Sequence, residues 1–96
     1  QAAEHERAGV VALLDSKLTL AREEFCAAHK IFSDYHNVDE ICSKVLTKDL
    51  ITKHNDATED QKRVIEKDVL KRIQKDYKWG IPQDLQTAMQ KKLEQK

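Results

Sequence analysis

The residues best suited to chemistry crowd into one stretch, CAAHKIFSDYHNVDEIC at 26–42, which holds both cysteines and two of the four histidines. Cys26 and His29 are three apart, a spacing that puts both on one face of a helix. A helix reversal could bring Cys42 toward them, with His36 or His54 as a fourth ligand, and that set would suit tetrahedral zinc. Structural zinc sites of Cys and His are usually built from two tight pairs, and Cys42 has no Cys or His three or four residues away. No metal site is therefore expected. A disulfide is the competing reading. The midpoint of 26 and 42 is Asp34, so a turn near Asp34 to His36 sets the two cysteines within about one helical turn of the same height. A bridge needs Cα atoms less than ~7 Å apart. Two thiols acting as small buried hydrophobes fit the same pattern, and both alternatives stand at this level. His29 lies near an apolar seam and reads as a satisfied core histidine, while His5, His36 and His54 fall near expected helix ends or in the tail.

Other sources of chemistry are weaker. Ser16, Ser33 and Ser43 have no glycine-elbow context, and Gly9 and Gly80, the only two glycines, cannot build a phosphate-cradling loop. The seventeen carboxylates fall on solvated helix faces and near helix starts, so no catalytic pair and no cofactor is expected. Lys67, Lys71, Arg72, Lys75 and Lys78 form a basic stripe, with Tyr77 and Trp79 as stacking groups at its end. Glu66, Asp68 and Asp76 are interleaved with it, and Asp68 with Arg72 has the helical i,i+4 spacing of a neutralising pair. That is the pattern of a solvated face, and nucleic acid is not the expected partner.

These residues must be positioned by helices. Two glycines and one proline in 96 residues leave few turns to join strands, whereas Ala, Leu, Lys, Glu, Gln and Arg abound. Seventeen basic and seventeen acidic residues cancel, which removes any global field for nucleic acid or an anionic membrane. The longest apolar run, VVALL at 10–14, is far short of the ~18 residues of a membrane span. The expected fold is an all-α antiparallel bundle with a long first helix (about 8–35) and three shorter ones (about 38–54, 59–79 and 82–95). Residues 1–8 would be a frayed tail, because Gly9 weakens the helix, and 9–96 a single domain.

Val11, Leu14, Leu18, Ala21, Phe25, Ala28, Phe32 and Tyr35 follow one another at spacings of three and four, a seam on one long helix. Val10, Leu13, Leu20 and Ile31 widen it. Asn37 with Glu40 and Thr58 with Gln61 are capping boxes for the second and third helices. Ile41, Cys42, Val45, Leu46, Leu50 and Ile51 line the second helix, and Ile65, Val69, Leu70, Ile73 and Tyr77 the third. Gly80 ends the third helix, and Pro82 opens a fourth, striped by Leu85, Ala88, Met89 and Leu93.

The segments LLDSKLTLAREEFCAAHK and VLKRIQKDYKWGIPQDLQTAMQ are faintly similar in spacing to the first and later helices of the small all-helical chorismate mutases. That resemblance implies a small helical enzyme with a charged pocket between helices, and makes Lys17, Lys30 and Gln90 candidate anion and ether contacts. Lys17 stands where the family has an arginine, and the whole second helix would be an insertion. A substrate with two carboxylates calls for bidentate arginine, and Arg7, Arg22, Arg63 and Arg72 do not match, so the chain is not assigned to the family.

The reading that follows is a non-enzymatic helical interaction or assembly module. A short second helix leaves apolar surface on the first, around Val10, Leu13, Leu14 and Leu20, for another protein chain, either a copy of itself or a subunit of a larger assembly. The small helical enzyme is the alternative. The start at Gln1 rather than Met favours a processed product, exported or organellar.

Overall fold

A continuous helix over 8–35 would be roughly 40 Å long, which exceeds the largest dimension of the molecule, 35 Å. The computed structural model describes residues 2–31, 38–76 and 81–94, and in it the long helix is two. Helix α1 spans Ala2–Leu14 and α2 spans Leu18–Ile31. The break is a Schellman motif: Lys17 N–H donates to Ala12 O at 2.8 Å, Ser16 N–H donates to Leu13 O at 3.1 Å, and Ser16 takes φ 64°. Glycine is the usual residue at that left-handed position, where a β-carbon costs roughly 1 kcal/mol. Residues 2–8, expected as a frayed tail, are the opening turns of α1.

Past this turn α2 doubles back along α1. His5 Nδ1 stands 2.7 Å from Glu24 Oε2, and the Phe25 ring lies against the α1 backbone at Gly9. A Cβ at Gly9 would stand 2.8 Å from that ring, so the glycine that weakens α1 in isolation permits the close approach of Phe25.

The expected second helix is also divided. Val38–Glu40 (α3) widens into a π-helical turn over Ile41–Val45, closed by Leu46 N–H donating to Ile41 O at 2.9 Å. Thr47 is extended (ψ 160°), and its Oγ1 accepts from Leu50 N–H at 3.1 Å, which caps α4 (Lys48–Asp56). The expected turn at Asp34 to His36 and its cap Asn37 lie outside the described residues, as do Phe32, Tyr35, Tyr77, Trp79 and Gly80.

Helix α5 spans Glu59–Asp76 and α6 spans Gln83–Glu94. The expected capping box is formed in both directions: Gln61 N–H donates to Thr58 Oγ1 and Thr58 N–H to Gln61 Oε1, each at 3.2 Å. Pro82 O accepts from Leu85 and Gln86 at the start of α6, each at 3.0 Å.

Every regular element among the described residues is helical. The core joins Leu13, Phe25, Leu46, Leu70, Ile73 and Met89, all fully buried, so α1, α2, α5 and α6 share one interior. No described helix is long and apolar enough to cross a membrane.

Candidate functional site

Cys26 on α2 and Cys42 in the π-helical turn stand at disulfide distance, with Cα atoms 5.1 Å apart, and neither is free. Such a bridge closes a loop that stabilises the fold by about 3 kcal/mol, chiefly by restricting the unfolded chain. It also takes up both sulfurs that a metal would need. Among the described residues no group of three or more His, Cys, Asp or Glu side chains is placed to hold a metal ion.

A buried polar chain, not anticipated from the sequence, links four elements. Ser16 Oγ, in the α1–α2 turn, donates to Glu66 Oε1 of α5 at 2.7 Å, and the second carboxylate oxygen meets His54 Nε2 of α4 at 2.7 Å. His54 and Glu66 are 5% and 7% exposed, and His54 Nδ1 is buried without a partner. Lys92 of α6 donates to Leu14 O, the end of α1, and its Nζ lies 3.4 Å from Ser16 Oγ. A cation there completes the free carbonyls of a helix C-terminus.

The order within this chain decides its chemistry. A hydrolytic relay places the imidazole between hydroxyl and carboxylate, so that the ring can take the hydroxyl proton. Here the carboxylate stands between, and His54 does not touch Ser16. The arrangement ties helices together, since Ser16, His54, Glu66 and Lys92 each meet a partner on another element, His54 Nδ1 alone in this chain of contacts being left over. Its trace in the sequence is positional. His54 follows Leu50 by four and Ile51 by three, and Glu66 precedes Val69, Leu70 and Ile73 by three, four and seven, so each occupies a stripe position normally apolar.

A groove runs between α4 and α5, lined by neighbours of His54 and Glu66 in sequence but not by those two side chains. Its wide end, a hollow of about 600 Å³, is lined by Ala57, Val64 and Ile65, with Lys53, Asp56 and Gln61 at the edges. Lys53 and Ile65 also line a narrower hollow of about 190 Å³ that continues past Leu50 and Val69 to Asp68 and Arg72. An apolar floor of this size with a few polar groups at its rim is the usual form of a binding cleft. Val64, on the α5 wall, is 60% exposed, the most of any large apolar side chain described.

The residues expected to form an interaction face behave differently from one another. Val10 and Leu13 are fully buried because the α1–α2 hairpin closes over them, Leu14 is half-buried against the core, and only Leu20 is exposed, at 42%. Val10 and Leu13 thus belong to the core, while Leu14 and Leu20 keep exposed surface. Lys17 and Lys30 lie at opposite ends of α2, roughly 20 Å apart along the axis, and Gln90 is on α6, accepting from Gln74 at 2.8 Å. The chorismate-mutase-like contacts are thus not brought together. His29 is half-buried on α2. Lys71, Arg72 and Lys75 are exposed on α5 and Lys67 is half-buried, whereas Lys78 lies outside the described residues. Asp68 and Arg72, spaced for an ion pair, both face the groove instead.

At the surface, Arg7 of α1 meets Asp84 of α6 at 2.8 Å. The hydrogen bond from the guanidinium holds the Asp84 carboxyl below its ordinary range.

The chain matches no family model, and neither the curated proteins nor the solved structures contain a match to it.

Proposed function

We propose that this chain is a non-enzymatic helical interaction module whose α4–α5 groove receives the apolar face of a helix from another protein chain. The observation that carries the reading is the groove itself: an apolar floor of Ala57, Val64 and Ile65, open to solvent and edged by charged side chains. Helices dock into such grooves by inserting apolar side chains at i, i+3 and i+4 spacing while polar edges fix the register. Burying an exposed Val contributes about 1.5 kcal/mol or more, so a groove with several such contacts supports specific, reversible association. The Cys26–Cys42 pair supports residence in an oxidising compartment, where a disulfide persists.

Titration of the isotope-labelled chain with a synthetic amphipathic helix of Leu, Glu and Lys, followed by amide NMR, tests this. Shifts concentrated on Lys53, Ala57, Val64 and Ile65 are expected. Absence of shifts, or shifts spread over α1 and α2, contradicts the reading.

A further inference from the structure

Resting on that reading, we infer that the occupant of the α4–α5 groove is a second copy of this chain, docked across a two-fold axis. The first argument is charge. Lys53 and Arg72 line the groove together with Asp56 and Asp68, and none of the four is in an ion pair among the described residues. A two-fold interface presents the same patch from both sides, so the patch must complement itself. Two cations and two carboxylates on one apolar floor meet that requirement, since each cation of one copy has carboxylates to face on the other. A groove rim of one sign would repel its own image.

The second argument is shape. Val64 is 60% exposed and lines the hollow with Ala57 and Ile65. Two such patches facing each other across the axis would each cover the other's exposed apolar side chain. The third is the absence of a long-range penalty: seventeen basic and seventeen acidic residues leave the copies without net repulsion at neutral pH.

The test is sedimentation equilibrium of the full chain with its disulfide intact, over a dilution series. The wild type is expected to show a monomer–dimer equilibrium. Val64→Glu, at an exposed helical site that tolerates a charge, is expected to weaken the dimer at least about tenfold, the fold-change for roughly 1.4 kcal/mol of lost burial, with an unchanged circular dichroism spectrum. Charge complementation gives a second, independent arm. Lys53→Glu/Arg72→Glu makes an acidic groove and Asp56→Lys/Asp68→Lys a basic one. Each is expected to be monomeric alone, and their mixture to form a one-to-one dimer.

A wild type that stays monomeric throughout overturns the inference. So does a dimer that Val64→Glu leaves intact, because it is held by another surface. If the wild type is monomeric but the synthetic amphipathic helix still shifts the groove amides, the second copy is excluded while the interaction reading stands. If the helix shifts nothing either, both fail.

Discussion

Two pairs of consecutive helices in this molecule, each joined by a turn of two or three residues, pack in opposite ways. Between α1 and α2 the seam is closed: Gly9 lets the Phe25 ring rest on the backbone, and Val10, Leu13, Ala21 and Ala28 leave almost no exposed surface. Between α4 and α5 a buried His54–Glu66 hydrogen bond joins the helices, and a groove lined by Ala57, Val64 and Ile65 stays open between them. Small residues at the contact allow close approach, whereas α4 and α5 meet through longer side chains and are not packed closed along their outer edge. Connection length alone therefore does not decide whether a helix pair is core or surface for a partner. The side chains at the contact decide it.

The comparison breaks most severely at His54. His54→Leu leaves the buried Glu66 carboxylate with Ser16 as its one remaining partner among those described, and a loss of about 3 kcal/mol is expected in urea unfolding. The double change His54→Leu/Glu66→Leu removes both charged or polar groups, and its stability is expected within about 1 kcal/mol of wild type or above it. If the pair props the groove open, this well-folded double variant loses the amide shifts produced by the amphipathic helix. Retained shifts at full strength would detach the groove from the polar pair.

Gly9→Ala probes the other half with a smaller effect. At an exposed helical site the change stabilises by about 1 kcal/mol, but here the new Cβ meets the Phe25 ring at 2.8 Å. Overpacking of this kind costs about 1–3 kcal/mol, so a net loss of about 1 kcal/mol is expected at the denaturation midpoint. A gain would mean that the α1–α2 seam is looser than described.

The smallest effect belongs to the Arg7–Asp84 pair, exposed on both sides. Its carboxyl is depressed in the folded state, so its contribution is present above the unfolded carboxylate value of about 3.9 and is lost as pH falls through the folded value. Wild type and Asp84→Asn are expected to differ slightly in Tm at neutral pH and low salt. The difference should vanish toward pH 2 and shrink in high salt.

Some local signals were legible where a side chain met its own backbone, although the Thr47 cap of α4 was not among them. Thr58 and Gln61 form the expected box, Pro82 stands at the start of α6, and of the stripes expected on α5 and α6 Val69, Leu70, Ile73, Leu85 and Met89 are buried while Ile65, Ala88 and Leu93 are half-buried. The cysteine pair was legible as one of two alternatives, because helical rise set their heights without setting the distance between helices. Three features were hidden for physical reasons. The α1–α2 turn places Ser16 where glycine would have announced a left-handed stop, and the apolar spacing from Val11 to Phe25 runs across it unbroken. The π-helical turn at Ile41–Val45 is set by how that segment packs, not by its propensities. The His54–Glu66 pair reads as two ordinary polar residues until the stripes of α4 and α5 are laid against each other. The burial of Val10 and Leu13 follows from the first of these, since a broken helix covers its own apolar face.

The central claim is that association uses the α4–α5 groove and not the α1–α2 hairpin, whose exposed apolar side chains are Val11, Leu20 and Ile31. Amide NMR spectra of the isotope-labelled chain over a dilution series test it most directly. The account predicts concentration-dependent shifts confined to the groove, strongest at Lys53, Val64 and Ile65, with Val11 and Leu20 unmoved. Shifts centred on Val11 and Leu20, with α4 and α5 silent, would contradict it.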